Sequence, residues 1–334
     1  MLKIVLYCIL VFSLSGCRSP APEPRDPLAN RIFETETQTE ISRDELFERL
    51  RSADVIYLAE QHDQAEHHRL QLLVIESLLT SGLRPAIGFE LFALEQTSTL
   101  MTYSQGKSSP HENASGYSAE EWLRGKLGWK GEDNSYWQFY GPLLMKAREH
   151  NLTVFGADLH TSIRKRIAKT GKKGLTAVEK QLIYDSGLAD EHYRKLMYER
   201  FKTAHCGWGS DDYFSRLYDT WLSRNDAMAR AVVNTFQAHD GRPVVLITGA
   251  GHTRYNMGVY ERVAYLDSEL KQINIGLRAL ADAPVALHTY LQRTEFDGKD
   301  YGPNHEYQWF TAAQFPPAED PCKDFLAAKQ TPGD

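Results

Sequence analysis

A short stretch behind the first apolar run of the folded part of the chain is dense in acidic and imidazole side chains. It reads L-A-E-Q-H-D-Q-A-E-H-H-R-L-Q and runs from Leu58 to Gln71. Carboxylates and imidazoles can activate a water molecule, hold a divalent metal or ligate haem iron. The stretch therefore indicates either a site of one of these kinds or a solvated loop.

Ionisable residues also end three further apolar runs of the sequence. The four runs, 54–59, 84–91, 152–159 and 242–248, are typical of buried strands because they are apolar and β-branched. In parallel sheets, ligands bind in the crevice outside the carboxyl ends of the strands. We therefore expect one site that gathers the ionisable residues at these ends, namely Glu60, His62, Glu90, Asp158, His160 and His252.

Helix signals lie between the apolar runs. Ser42 with Glu45 is a capping box that predicts a helix over 43–51, and Asp63 is the predicted N-cap of a helix that ends at Ser81-Gly82. A strand, a helix and a second strand in this order form a β-α-β unit with parallel strands. The predicted fold class is α/β, a mainly parallel β-sheet flanked by helices. Weaker strand candidates follow at 274–278, 285–291 and 307–311.

A long block without strand signals interrupts this pattern. Between about 161 and 240 the sequence has capping signals at Thr176 with Glu179 and from Ser210 onward, but no strand-like run. The block is too long for one crossover helix. We expect a helical insertion within a single domain that spans 36–322.

The N-terminus has the features of a secretory signal. An apolar run from Ile4 to Leu14 is too short to span a bilayer, for which about 20 residues are needed. Leu14-Ser15-Gly16-Cys17 resembles the bacterial lipobox, in which the cysteine is acylated; the alternative is an ordinary signal with a chance cysteine. The expected product is a lipoprotein with lipid on Cys17, for example palmitate, a Pro-rich tether over 18–35 and a membrane location. Arg18 favours the outer membrane of a bacterial envelope, facing the periplasm.

Two cysteines remain in the expected mature chain. In an oxidising periplasm, Cys206 and Cys322 are a disulfide candidate, and the alternative is two separate thiols. Residues 323–334 would then form a C-terminal tail. The formal net charge of −6 and the absence of a basic stripe argue against nucleic acid as a partner.

Several common catalytic motifs are absent from the sequence. There is no C-x-x-C, no H-E-x-x-H and no G-x-S-x-G, which argues against zinc fingers, zincins and ordinary α/β-hydrolases. Gly249-Ala-Gly-His252 lacks the lysine of a phosphate loop. We interpret its glycines as a sharp turn that brings His252 over the sheet.

A set of motifs spread over 56–322 resembles the ChaN-like family of haem-binding lipoproteins, which shares a superfamily with the Tiki and TraB proteins and the erythromycin esterases. The motifs are Glu60-x-His62-Asp63 with His67-His68 and Gln71; Glu90-Leu91-Phe92; His205-Cys206-Gly207; Arg224 before Asn225-Asp226-Ala227-Met228-Ala229; Gly249-x-Gly251-His252 with Gly258-Val259; and Tyr307-Gln308-Trp309-Phe310-Thr311. Ala59 stands where the family usually has glycine.

The resemblance implies a haem-binding lipoprotein of iron or haem acquisition, with haem as its cofactor. It does not identify the axial ligand. Histidine and tyrosine both suit haem iron, and one of His67 and His68 is expected to face the crevice while the other faces solvent. The candidate haem-binding residues are His67, His68, His160, Tyr193, Tyr198, His205, Arg224 and Asp226. A homodimer is a further expectation, because two copies would enclose haem better than one shallow helical face.

An enzyme is the alternative function. Sister families hydrolyse their substrates with strand-end acids and histidines, so Glu60, His62, Glu90 and His252 would be catalytic. A divalent metal on Glu60, His62 and His252 is part of that alternative. A third alternative is a structural lipoprotein without chemistry at the cluster.

Overall fold

An eight-stranded sheet forms the centre of the protein in a computed structural model that describes residues 26–106, 118–129, 131, 134–183, 185–238, 243–312 and 322. The strand order is β2-β1-β10-β7-β3-β6-β4-β5. The strands are β1 (Ile32–Glu34), β2 (Thr39–Ile41), β3 (Val55–Glu60), β4 (Ala86–Ala93), β5 (Val154–Asp158), β6 (Val244–Gly249), β7 (Gln272–Ala279) and β10 (Tyr307–Thr311); β8 (Glu295–Phe296) and β9 (Lys299–Asp300) form a separate two-stranded sheet.

Six neighbouring strands, from β10 to β5, run parallel, and only the β1–β2 edge adds antiparallel pairs. The mainly parallel α/β fold predicted from the sequence is therefore confirmed. The four strands that were expected to end on ionisable residues are direct neighbours in the order β3-β6-β4-β5. Their apolar runs are buried on both faces, as parallel strands covered by helices must be.

The described residues form eleven helices, several of which cover the sheet. They are α1 (Arg43–Leu50), α2 (Ala65–Thr80), α3 (Thr97–Ser104), α4 (Ala119–Leu127), α5 (Ser135–Glu149), α6 (Thr161–Thr170), α7 (Ala177–Leu182), α8 (Glu191–Ala204), α9 (Asp211–Ala238), α10 (Val259–Leu266) and α11 (Leu287–Tyr290). Short 3₁₀ turns occur at Leu94–Gln96, Lys172–Gly174, Ala250–His252 and Arg254–Asn256.

The helices divide between the two faces of the sheet. Alternate residues of a strand point to opposite faces, so Ile56 and Leu58 pack against α1, α2 and α5, whereas Val55 and Tyr57 pack against α9 and α10. The predicted helical insertion is confirmed, because α6 to α9 lie between β5 and β6 without an intervening strand among its described residues.

Three predictions about local structure need correction. The capping box at Ser42 is present, but α2 begins at Ala65 with Gln64 as its N-cap, so Asp63 is not the cap. The strand expected at 285–291 is wrong: Leu287–Tyr290 is one helical turn, which places Tyr290 in a small aromatic core. The folded domain also starts earlier than 36, because Ile32–Glu34 pairs with β2 and β10 within the segment assigned to the tether.

The predicted bridge between Cys206 and Cys322 is confirmed; it spans 116 residues, and the two Cα atoms lie 5.4 Å apart. The signal over 1–17, Cys17, most of the tether and the tail 323–334 lie outside the described residues. Among the helices that the structure describes, none is both long and apolar enough to cross a membrane.

Candidate functional site

The carboxyl ends of β3, β6, β4 and β5 bring together most of the residues that the sequence predicted for one site. Glu60, Glu90 and Asp158 lie in the last part of their strands, and His252 follows β6 in a 3₁₀ turn. All four side chains are buried. We call this group, with His62 and Arg224, the carboxylate site. Each carboxylate of this site already has several hydrogen-bond or ion-pair partners within the protein.

Glu60 faces the side of the sheet covered by α2 and α5. Its Oε1 accepts hydrogen bonds from the Tyr140 hydroxyl at 2.5 Å and from His62 Nδ1 at 2.8 Å. The side-chain amide of Gln71 donates to its Oε2. Burial raises the pKa of Glu60, but the His62 hydrogen bond, the nearby His68 and the other donors outweigh burial and hold this pKa below its ordinary value. Glu60 is therefore a buried, ionised carboxylate at neutral pH.

Glu90 belongs to the opposite face, which α9 covers. Its Oε2 accepts from the Thr248 hydroxyl at 2.7 Å and from the Gly249 backbone N–H at 2.6 Å. Its Oε1 lies 2.5 Å from Arg224 and 3.2 Å from His252 Nε2. Burial again acts to raise the pKa, but His252 and Arg224 together hold it well below the ordinary value of a glutamate.

Arg224 on α9 joins the second carboxylate to the third. It donates to Glu90 and, through Nε at 2.9 Å, to Asp158. Asp158 also accepts from Arg164 at 2.9 Å. Burial lowers the pKa of Arg224, but Glu90 and Asp158 raise it further than burial lowers it. Arg224, a candidate haem contact from the sequence, thus serves as the counter-ion of two buried acids.

His62 lies between the two glutamates at the end of β6. Its Nδ1 binds Glu60. A Cβ atom added to Gly249 would lie 3.0 Å from His62 Nε2 and 3.4 Å from Glu90 Oε2. Gly249 is therefore needed for the room it leaves to His62, and its backbone needs no left-handed conformation. The Glu60 hydrogen bond raises the pKa of His62 although burial opposes this. The side chain is 55% exposed, so its outer edge can reach a ligand.

His252 is fixed by its own neighbours. Its Nδ1 lies 2.7 Å from the Asn225 side-chain oxygen, and its ring stacks on Trp221 with an interplanar angle of 11°. A side-chain oxygen of an amide can only accept, so Nδ1 carries a proton. In a neutral imidazole, Nε2 is then the acceptor nitrogen.

His67 and His68 both lie in the interior, so the expectation that one faces solvent is wrong. His67 Nδ1 accepts the backbone N–H of Gln61 at 3.0 Å, and its Nε2 is buried without a hydrogen-bond partner in the described part of the chain. Burial lowers the pKa of His67 to about 4. His68 stacks on Phe139 and binds the His62 carbonyl through Nε2 at 3.1 Å. The first turns of α2 run beneath the strand ends, which buries both rings.

The other predicted haem-binding residues do not gather at the strand ends. Asp226 pairs with the buried Arg262 at 2.7 Å, and Tyr193 lies in an aromatic cluster with Trp221 and Tyr255. Tyr198 accepts from Arg194 at 2.8 Å. The contacts of Asp226, Tyr193 and Tyr198 thus hold the helices together, away from the strand ends.

His160 and His205 are the two predicted ligands with accessible rings. His160 caps α6, where its Nδ1 accepts the Ser162 backbone N–H at 3.2 Å. His205 follows α8, and its Nδ1 lies 2.8 Å from the Phe201 carbonyl. A carbonyl only accepts, so this Nδ1 is the donor, and the lone pair of a neutral ring is on Nε2.

Two contacts of the site have no recognisable signal in the sequence. Tyr140 lies 80 residues from its partner Glu60, within a helix whose aromatic residues are typical of any core. Thr248 ends an apolar run and resembled a buried strand residue. The counter-ion role of Arg224 was also missed, although the residue itself stood in a recognised motif.

No group of three or more His, Cys, Asp or Glu side chains within the described residues is arranged to hold a metal ion. The set expected for a divalent metal, Glu60, His62 and His252, is divided. Glu60 binds His62, whereas His252 belongs to Glu90 and Asn225.

Comparisons with known proteins agree with this fold. The family model described as "Haem-binding uptake, Tiki superfamily, ChaN" matches residues 46–263. The ChaN protein of Campylobacter jejuni, solved with cofacial haem binding, shares 19% identity and a TM-score of 0.57 over 83% of this chain and 95% of its own. A Bacillus cereus protein shares 14% identity over 86% of this chain and 95% of its own, with a TM-score of 0.46.

A mutant of the erythromycin esterase EreC in its open conformation is also similar, with 15% identity and a TM-score of 0.43 over 75% of this chain and 77% of its own. No curated protein sequence matches the chain. The family match covers well over half of the sequence, from α1 to α10. The chain therefore belongs to the ChaN family of the Tiki superfamily.

Proposed function

We propose that this protein binds haem and serves in iron or haem acquisition as a membrane-anchored lipoprotein. The observation that carries the proposal is the family match over residues 46–263, which includes the whole helical insertion. Haem needs an accessible axial ligand and an apolar surface beside it. Among the described residues, we favour the place where an apolar surface meets a histidine whose Nε2 carries the lone pair.

That place is the end of α8. The hydrogen bond from His205 Nδ1 to the Phe201 carbonyl fixes the ring and directs its lone pair to Nε2. Such a second contact is typical of histidines that ligate metals. The ring centroids of Tyr213 and Phe214 lie 5.6 and 6.2 Å from that of His205. Trp208, three residues further along the chain, is 48% exposed. His205 is therefore the favoured axial ligand.

His160 provides a matched comparison. It is exposed and lies at the end of β5, next to a small cleft that Trp129 and Arg164 also line. However, its Nδ1 accepts a backbone N–H, which places the proton of the neutral ring on Nε2. Ligation through Nε2 would need this hydrogen bond to break. His160 is thus the weaker ligand candidate.

A haem on His205 would leave one face open to solvent. A second copy of the chain could cover this face, which supports a homodimer when haem is bound. Lipid anchoring rests on the sequence at Cys17 and is tested separately: Cys17→Ala should move the protein from the membrane fraction to the soluble fraction.

The direct test is a haem titration of the chain that begins at residue 18, followed at the Soret band. The wild type and His160→Ala should bind haem at a defined ratio, whereas His205→Ala should lose the saturable band or bind at least about tenfold more weakly. Light scattering with and without haem would detect the dimer. No saturable band in the wild type would contradict haem binding, and equal binding by His205→Ala would contradict the ligand.

Hydrolysis at the carboxylate site is a second candidate, and one observation favours it. The His62 ring is half exposed while its inner nitrogen binds a buried ionised carboxylate. A carboxylate that orients an imidazole in this way makes the other ring nitrogen, here Nε2, a general base for water. Glu60 and His62 would form that pair, with Glu90 and His252 alongside.

Assay with a panel of carboxylic esters would test this candidate. His62→Ala and Glu60→Gln should each lower kcat by about 100-fold or more while the Soret titration stays unchanged. A wild type without turnover on any ester would remove the candidate. Total metal, measured on the same sample, would show whether an ion takes part.

A further inference from the structure

A cleft of about 970 Å³ opens beside the carboxylate site. Gln61, which follows Glu60, and Ala250, which follows Gly249, form its border with that site. The rest of its lining includes Arg200, Arg254 and Arg278 together with His305. We call these four residues with the space between them the arginine cleft.

The three arginines of the cleft have no acidic partner among the described residues. Arg200 donates to the Tyr255 hydroxyl, and Arg278 lies 3.4 Å from the Tyr290 carbonyl. The Nε of Arg254 and that of Arg200 are buried without any partner in the part of the chain that the structure describes. Arginines that are partly buried and close to one another normally share a carboxylate. Here the three arginines line an open cleft, and the one carboxylate of its lining, Glu295, forms no ion pair with them among the described residues.

A fourth arginine on the same cleft differs in this respect. Arg293 binds Glu36 at 2.6 Å and Asp300 at 2.8 Å, so its charge is already balanced. The protein thus pairs one arginine of the cleft and leaves three unpaired. Arg293 is a matched control for any experiment on the other three.

His305 adds an unpartnered polar group. It is 5% exposed, and neither ring nitrogen has a hydrogen-bond partner within the described residues. Burial and, to a smaller extent, the nearby Arg254 lower the pKa of His305 to about 3. The Ala250 backbone acts weakly in the opposite direction, but it does not form a hydrogen bond with the ring. A neutral imidazole supplies one donor and one acceptor, and both are unused here.

The loop that carries Arg254 is held in place by the fold. Tyr255 and Asn256 have φ values of 61° and 54°, which non-glycine residues seldom adopt. The buried Asn274 amide donates to the Thr253 carbonyl and to Asn256 at 2.7 and 2.8 Å, and the Tyr255 N–H binds the Asn304 carbonyl at 2.7 Å. Strained backbone of this kind is typical of ligand sites. The position of Arg254 is therefore set before any ligand arrives.

We propose that the arginine cleft is a binding site for a small anion that carries carboxylate or phosphate groups, contacted by Arg200, Arg254 and Arg278 and hydrogen-bonded by His305. Guanidinium groups bind both kinds of anion through paired hydrogen bonds. Burial, followed by the nearby Arg200, lowers the pKa of Arg254. An anion in the cleft would relieve this repulsion.

Two sources could supply such an anion. One is a free small molecule, and the other is haem itself, whose two propionates are carboxylates. The site is defined independently of haem binding, because none of the contacts that define it involves His205. The two sources are separated by experiment.

The test is isothermal titration of the chain from residue 18 with citrate and with inorganic phosphate at low ionic strength, against sodium chloride of matched ionic strength. We expect saturable binding of at least one of the two anions. Arg254→Gln should weaken it at least about tenfold, and Arg293→Gln should change it less than about threefold. Circular dichroism checks folding, and Arg278→Gln replaces Arg254→Gln if the latter does not fold.

Two results would overturn the proposal. One is the absence of saturable binding of either anion to the wild type beyond the effect of chloride. The other is an equal loss in Arg254→Gln and Arg293→Gln, which would show that the anion responds to overall charge and not to the cleft.

Haem titration of the same variants identifies the source. If propionates occupy the cleft, Arg254→Gln weakens haem binding and citrate competes with haem. If the ligand is a free small anion, the Soret titration of Arg254→Gln equals that of the wild type. Both results support the site, and a failure of haem binding in every variant leaves the citrate and phosphate titrations as an independent measure.

Discussion

The carboxylate site and the arginine cleft share a border at the ends of the strands, but their charges are balanced in opposite ways. Glu60, Glu90 and Asp158 each have two or more donors within the protein. Arg200, Arg254 and Arg278 have no acidic partner among the described residues. Buried charges that are paired stabilise a fixed geometry, whereas unpaired charges provide a preference for a ligand of opposite sign.

The largest effect is expected where a balanced charge is removed. Arg224→Met would leave both Glu90 and Asp158 without their shared counter-ion, and such a buried charge costs about 3–5 kcal/mol. Urea denaturation would measure the loss in the free energy of unfolding. Arg51→Met, which breaks an exposed pair with Glu48, should change this free energy by less than about 1 kcal/mol. A loss for Arg224→Met as small as that of the control would show that the paired charges of the carboxylate site do not stabilise the fold.

A smaller loss is expected for Glu60→Gln. The amide nitrogen would confront donors from Tyr140, Gln71 or His62, so at least one buried donor would lose its acceptor. The expected decrease in the free energy of unfolding is about 1–3 kcal/mol. Tyr140→Phe removes only one of these hydrogen bonds and serves as the control. If Glu60→Gln were as stable as the wild type, the carboxylate would not be the centre of this network.

Removal of an unpaired arginine of the cleft should hardly lower the free energy of unfolding. Arg254→Met keeps much of the apolar part of the side chain and removes repulsion from Arg200, so the free energy of unfolding without ligand should stay within about 1 kcal/mol or rise. Thermal denaturation without added anion would measure this. A loss of more than about 2 kcal/mol would mean that Arg254 has a structural partner, and the contrast between the regions would fail.

The smallest effect concerns pH. Glu60 raises the pKa of His62 in the folded state above its ordinary value near 6.5. The resulting stabilisation is fully present below pH 6.5 and is lost as the pH rises through the folded-state pKa. NMR titration of the imidazole should show a lower pKa in Glu60→Gln. An unchanged pKa in that variant would show that Glu60 does not set the protonation of His62.

Strand ends were the most predictable part of the site. Apolar β-branched runs followed by acids or histidines have a direct physical meaning in a parallel sheet, and this pattern alone was enough to expect Glu60, Glu90, Asp158 and His252 at one place. Prediction was poorer where the direction of a side chain decides whether it is buried or exposed. His67 and His68 are neighbours on α2, but both are buried. His67 lies against the Gln61 backbone, and α5 covers His68 through Phe139 and Tyr140.

The arginine cleft could not be predicted from the sequence. Arg200 belongs to α8, Arg254 to a 3₁₀ turn, Arg278 to β7 and His305 to the segment before β10. None of the four stands in a motif with chemical meaning. An arginine in a sequence also gives no sign of whether an acid will lie next to it, since that depends on contacts between distant segments, such as Arg293 and Glu36, which are 257 residues apart.

The sequence by itself determined the α/β class, the helical insertion, the family and the strand-end acids, because these depend on local periodicity and on short motifs. It also made Cys206 and Cys322 a disulfide candidate, which the structure confirms. Tertiary structure alone decided which charges are balanced: β6 and Gly249 place His62 between two glutamates, α9 brings Arg224 to two acids, and no described acid reaches Arg254. Charge balance depends on distances of a few ångströms between distant segments, and local sequence contains no such distances.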